Sequence, residues 1–315
     1  MNYRHIYHAG NFADLMKHLI LVALLKKLQE KDKGFTVLDA FAGIGLYDLE
    51  SEEAQKTKEY ENGIGVLRKW VENHHPRGHK VELRDLPSSS SPRSGARGSQ
   101  DTREELLLPH EIPDPASRSY AGTEDDAIST YLSLAPSPTL YPGSPYIIAS
   151  LLRGQDNLIA SELHPQDYAT LKHNMRMCDA AIHHIDGYNA IKAFLPPKSP
   201  RGLVLLDGAF EVRNEYLKII DALKLIRKRF AAGIVMIWYP IKDVKLVKEF
   251  YKDLKGTGYP EFLRVEFEID DIGLGMNKCG VIIANPPHIK TELEEMMRFL
   301  CDDVYGGGAR VSVGV

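Results

Sequence analysis

The run Phe35-Thr36-Val37-Leu38-Asp39-Ala40-Phe41-Ala42-Gly43-Ile44-Gly45 decides the fold class. Its first seven residues are almost continuously apolar or β-branched, as expected of a strand buried on both faces. It breaks into a loop with two glycines, where a backbone can turn sharply or approach a ligand closely. Ahead of it, residues 11–31 predict a helix, because Leu15, Leu19, Val22, Leu25 and Leu28 recur at three- and four-residue spacing until Gly34 interrupts the pattern.

Beyond Tyr141-Pro142-Gly143-Ser144-Pro145 a regular alternation follows. Helices are predicted at 146–152, 165–175, 189–195, 215–229 and 244–254, and strands at 157–162, 181–186, 202–207, 233–239, 262–269 and 280–284. Apolar strands separated by amphipathic helices predict a parallel sheet covered on both faces. With 35–41 the sheet has seven strands. The last two follow each other without a helix, so the final one is expected to be antiparallel. The fold class is therefore α/β, a seven-stranded Rossmann-like sheet.

Between the first strand and this alternation the texture changes. Pro87-Ser88-Ser89-Ser90-Ser91-Pro92-Arg93-Ser94-Gly95 is low-complexity, and charged, Pro-rich sequence continues to about Pro138. Such a stretch buries too little apolar surface to offset its ordering entropy, so 85–125 is expected to be largely disordered. The organisation predicted is residues 1–73 as the start of one domain, 74–140 as an inserted subdomain, and 141–315 as the remainder.

Composition narrows the function classes. The chain has 315 residues, a net charge of −4 and three widely spaced cysteines. That spacing offers neither a disulfide framework nor a zinc site, so a reducing, cytoplasmic setting is expected and no metal. No apolar run reaches the roughly 18 residues of a membrane helix. The net charge supplies no general basic field, so a nucleic-acid partner would need a local patch. A monomer is expected.

In an open α/β sheet ligands bind beyond the carboxyl ends of the strands. The first strand delivers Asp39, Gly43 and Gly45 there, the second Glu162 and the third Asp186. Each acid alone reads equally well as a helix N-cap. Together they form a constellation suited to an adenosine-bearing cofactor, with carboxylates for ribose hydroxyls and an adenine amine. A nicotinamide dinucleotide would want a third glycine where Asp48 stands, so S-adenosylmethionine (SAM), which has no pyrophosphate, fits better. The fourth strand ends in Asp207-Gly208-Ala209-Phe210. An acid, a following carbonyl and an aromatic could orient an exocyclic amine and stack on its base; the bland alternative is an ordinary strand exit. Asn285-Pro286-Pro287-His288 looks similar, but it follows the antiparallel strand and should point away from the cofactor edge. At the N-terminus, Tyr3-Arg4-His5 through Lys17-His18 gathers aromatics, histidines and a lysine before a helix, with Asn11 or Asp14 as its cap.

These motifs resemble one known family, the bacterial 23S rRNA adenine-N6 methyltransferases of the RlmJ type. The resemblance rests on Tyr-Arg-His-x-x-His-Ala-Gly-Asn-x-Ala-Asp-x-x-Lys-His at 3–18, Leu-Asp-x-x-Ala-Gly-x-Gly-x-Tyr at 38–47 and Tyr-Pro-Gly-Ser-Pro at 141–145. It extends through Glu-Leu-His-Pro at 162–165, Asp-Gly at 186–187, Arg-Gly-Leu-x-Leu-x-Asp at 201–207, Trp-Tyr-Pro at 238–240 and Asn-Pro-Pro at 285–287, and so spans nearly all the chain outside 74–138. It implies a SAM-dependent methyltransferase sheet with a helical subdomain inserted after the first strand. The substrate implied is an adenine of naked or partly assembled large-subunit rRNA. Lys17, Ser144, Glu162 and Asp186 would contact SAM, beside Asp39, Gly43 and Gly45. Asp207 would orient the amine and border the cofactor, and Phe210 would stack on the base. Tyr3 would lie on a tail closing over the site, with His5 and Gly208 on the substrate side. The family's Asp-Pro-Pro-Tyr is Asp207-Gly208-Ala209-Phe210 here, and its first-loop His is Phe41. The loss of both prolines motivates an alternative expectation, a methyltransferase-like protein that binds RNA or SAM without turnover.

Overall fold

The computed structural model describes residues 4–74, 126–210, 214–270, 273 and 275–314. The expected disorder of 85–125 and the placement of Tyr3 lie outside these residues.

In chain order the elements are α1 (Phe12–Gln29), β1 (Thr36–Asp39), β2 (Leu46–Asp48), α2 (Glu52–Thr57), α3 (Ile64–His74), α4 (Asp126–Ser133), β3 (Leu140–Pro142), α5 (Ser144–Leu151), β4 (Asn157–Glu162) and α6 (Pro165–Asn174). There follow β5 (Ala180–His184), α7 (Gly187–Phe194), β6 (Gly202–Leu206), α8 (Glu215–Arg229), β7 (Ile234–Pro240), α9 (Val244–Leu254), β8 (Phe262–Ile269), β9 (Lys278–Ala284), α10 (Lys290–Phe299) and β10 (Ala309–Gly314).

The main sheet has the order β10-β8-β9-β7-β6-β1-β4-β5. The five strands from β5 to β7 are parallel, and β9 runs antiparallel between β7 and β8. The seven expected strands are all present, and β9 is antiparallel as anticipated. The count was one short: β10 adds an eighth strand antiparallel to β8. Its sequence, Ala-Arg-Val-Ser-Val-Gly, carries no long apolar run, because an edge strand is buried on one face at most. A separate antiparallel ribbon pairs β2 with β3.

Side chains alternate across the sheet, as the period of two requires. Val37, Leu203, Leu205 and Met236 face a core shared with α1, α3, α4, α5 and α10. Leu38, Val204, Leu206 and Ile237 face the core under α7, α8 and α9. The periodic leucines of α1 are buried, but so are Met16, Ile20, Leu21 and Leu24 between them. α1 is thus enclosed between the sheet and α4. α7 approaches β1 so closely that a Cβ at Gly187 would lie 2.3 Å from the Ala40 carbonyl oxygen, which requires glycine there.

This topology puts the carboxyl ends of β1, β4, β5, β6 and β7 on one edge. β9 runs the other way, so Asn285-Pro286-Pro287-His288 falls at the opposite edge, in a separate small cleft with Glu261 and Leu263. Among the described residues no helix is long and apolar enough to cross a membrane.

Candidate active site

A cavity of about 520 Å³ opens at the carboxyl edge of the parallel strands. One wall is the glycine loop after β1. Gly43 has φ +61°, and a Cβ there would meet the Tyr47 hydroxyl at 2.3 Å. Its amide donates to Glu162 Oε2 at 3.0 Å, while the amide of His164 donates to Oε1 at 2.7 Å. The β4 carboxylate is therefore oriented by main chain, and each of its oxygens keeps further acceptor capacity for a hydroxyl. Burial raises the pKa of Glu162. Asp186 lies just past β5, which ends two residues sooner than the sequence suggested. It caps α7 through the Asn189 amide at 3.1 Å, so the cap reading holds while the residue still lines the cavity.

Asp39, fully buried at the end of β1, accepts from the Ser144 hydroxyl at 2.7 Å. Burial, helped by the nearby Asp207 charge and opposed by the Ser144 bond, lifts its pKa to about 7. Ser144 opens α5, and Gly45 (φ +80°) turns the loop so that its carbonyl accepts from the Gly143 amide at 2.7 Å. This set of glycines and strand-end acids fits an adenosine-bearing cofactor such as SAM, which Glu162, Asp186 and the Gly43 loop would hold.

The floor comes from α1. Asn11 caps that helix, its Oδ1 accepting from the Ala13 and Asp14 amides at 3.0 Å each. Asp14, the other cap candidate, turns inward instead. Its carboxylate accepts from Lys17 Nζ at 2.7 Å and the Gly10 amide at 2.8 Å, and lies 2.9 Å from His5 Nε2. Lys17 also donates to Asp207 Oδ2 at 2.5 Å. Burial opposes both charges, but mutual pairing wins: the His5 and Lys17 charges hold Asp14 well below the usual carboxylate range, and the two carboxylates hold Lys17 well above the usual lysine value. The segment ahead of α1 is tied down at three points, by Arg4 to Asp167 at 3.2 Å, His5 to Asp14, and His8 to Glu59 at 2.8 Å.

The remaining wall follows β6 and β7. Phe210 packs against Tyr216 with ring centroids 4.9 Å apart, and edge-on against Trp238 at 5.8 Å. Phe41, standing where the resembling family has His, meets Tyr188 edge-on at 5.3 Å.

The structure thus gathers His5, Lys17, Gly43, Ser144, Glu162, Asp186, Asp207, Gly208 and Phe210 around one cavity. Asp39 and Gly45 stand just behind its wall. The sequence reading missed Asp14, Glu59, Asp167 and Trp238 as wall residues. Asp14 and Trp238 lie inside quoted motifs, whereas no local pattern marks Glu59 or Asp167. Among the described residues no group of three or more His, Cys, Asp or Glu side chains is arranged to hold a metal ion.

Residues 32–81 and 127–312 match the family described as "Ribosomal RNA large subunit methyltransferase D, RlmJ". The chain is 34% identical over 304 residues to the ribosomal RNA large subunit methyltransferase J of Haemophilus influenzae, covering 95% of this chain and 92% of that protein. It is 33% identical over 300 residues to the Escherichia coli protein of the same name, covering 94% and 90%. Among solved structures, the crystal structure of a Legionella pneumophila protein matches over 98% of both chains, with a TM-score of 0.73 and 27% identity.

Proposed function

The chain belongs to the RlmJ family of ribosomal RNA large subunit methyltransferases, and from that premise we propose that it transfers a methyl group from SAM to the N6 amine of an adenine in large-subunit rRNA. The observation that carries this reading is the convergence, on one cavity, of strand-end acids suited to SAM with an acid and an aromatic suited to an amino-base. The substrate would be naked or partly assembled large-subunit RNA.

When bound, SAM supplies an electrophilic methyl group. The protein's task is to bring a poor nucleophile to it, since the N6 lone pair is delocalised into the adenine ring. The Asp207 carboxylate and the Gly208 carbonyl accept the two amine hydrogens, turning the nitrogen toward tetrahedral geometry and aiming its lone pair. Phe210, braced by Tyr216 and Trp238, offers a stacking face to the base. Lys17 keeps Asp207 in place through the contact of its Nζ with Oδ2. Transfer would be direct, with no enzyme-bound intermediate: the N6–CH3 bond forms as the S–CH3 bond breaks, S-adenosylhomocysteine leaves, and the methylated amine gives up one proton to solvent. Cys178, Cys279 and Cys301 are absent from the residues lining the cavity.

The test is incubation with methyl-labelled SAM and protein-free large-subunit rRNA, followed by digestion to nucleosides. Label is expected in N6-methyladenosine. Label in another nucleoside would overturn the N6 assignment. SAM binding without any label would favour the non-catalytic alternative.

A further inference from the structure

We propose that Asp14 is a positioning residue for this reaction, the hub that couples the N-terminal segment over the cavity to the acceptor carboxylate of Asp207. The inference rests on the methyl-transfer reading for its kinetic arm and on geometry alone for its second arm.

Asp14 is 2% exposed and Lys17 3%. Four bonds link these groups, two of them side by side at Asp14 Oδ2 and the others in series. His5 Nε2 and the Gly10 amide meet Asp14 Oδ2, Asp14 Oδ1 takes Lys17 Nζ, and Lys17 Nζ continues to Asp207 Oδ2. The bland role for an acid in the first turn of a helix is capping, but Asn11 already caps α1 through two amides. Asp14 is thus free to turn inward, and a buried carboxylate persists only where it is paired and hydrogen-bonded. It meets the segment before α1 directly, and through Lys17 it reaches Asp207, 190 positions beyond that lysine in the chain. The strand exit that carries Asp207 has Gly208 and Ala209 where the resembling family has two prolines, so its own backbone restrains it less. The Asp14–Lys17 pair supplies that restraint from α1. A tight chain of charged bonds has few intermediate settings, so a shift at either end reaches the other.

Two measurements test this. In the first, Asp14→Asn, Lys17→Gln and the double variant are compared with wild type for methyl transfer to protein-free rRNA and for S-adenosylhomocysteine affinity. Asp14→Asn is expected to lower kcat about a hundredfold, the order of loss from an ångström of misplacement. Its S-adenosylhomocysteine affinity is expected to stay within about threefold, and the double variant to be no slower than the slower single one, because the two residues act as a unit. A kcat within about threefold of wild type, or losses that multiply in the double variant, would overturn the proposal. The second measurement needs neither turnover nor an altered Asp14: amide hydrogen exchange across residues 5–11 in Asp207→Asn. Reciprocal coupling is expected to speed that exchange at least about threefold. Unchanged exchange would overturn the proposal even if Asp14→Asn fails to fold. A wild type that transfers no methyl would sink the methylation reading and leave the exchange measurement to decide this one.

Discussion

At the end of β4 the cavity's carboxylate, Glu162, is set by main chain; at the end of β6 the carboxylate, Asp207, is set by a side chain from a distant part of the sequence. Glu162 is gripped by two backbone amides, and the loop that supplies one of them turns on glycines with positive φ. Asp207 instead meets Lys17 from α1, and Phe210 leans on Tyr216 and Trp238. The two sides therefore differ in how far each tolerates change. If the Lys17–Asp207 pair takes over the restraint, this strand exit tolerates the absence of two prolines, whereas a glycine loop has no such substitute, because no side chain can follow its backbone path.

Breaking the acceptor side should give the largest effect. Asp207→Ala is expected to reduce methyl transfer by about a thousandfold or more, comparable to loss of a preorganised polar group in other active sites. Calorimetric titration should find S-adenosylhomocysteine affinity near normal. A collapse of that affinity instead would make Asp207 chiefly a cofactor ligand. Breaking the main-chain side should do the reverse. Glu162→Gln is expected to weaken S-adenosylhomocysteine about tenfold, as when a charged acceptor becomes neutral, with kcat at saturating SAM much less affected. Equal losses in binding and turnover would erase the contrast between the two sides.

Restoring the prolines sharpens the comparison. If Lys17 already holds Asp207, Gly208→Pro together with Ala209→Pro should change kcat by less than about threefold. A large gain would show that the backbone, and not the ion pair, limits this site. The added ring would also crowd Glu215, whose Oε1 lies 3.2 Å from a Cβ built at Gly208.

The smallest effect concerns Asp39. Its folded pKa of about 7 lies above the ordinary 3.8, so the folded state binds the proton more tightly than the unfolded one. Stability of the cofactor-free protein should therefore fall as pH rises from about 4 to about 7. Asp39→Asn removes that dependence, and its Tm relative to wild type should climb across the same window. A difference independent of pH would mean that Asp39 is ionised throughout.

Much of the fold was legible because parallel strands buried on both faces announce themselves as apolar runs, and β4, β8, α8 and α9 fall where the pattern put them. The edge strand β10 was hidden by its mixed composition behind Gly306-Gly307-Gly308. Within the site, the strand-end acids could be anticipated from topology alone. Asp14 could not, since capping residues and buried ion-pair hubs look alike in sequence. The Lys17–Asp207 bond joins residues 190 positions apart, and nothing local signals it.

On this reading Asp207-Gly208-Ala209-Phe210 is a working acceptor site beside a SAM pocket. Its most direct test is a calorimetric titration of wild-type protein with S-adenosylhomocysteine, followed on the same preparation by single-turnover methyl transfer to protein-free large-subunit rRNA. Binding accompanied by transfer is the expected result. Binding without transfer would contradict the claim, and would mean that Lys17 does not make good the lost prolines.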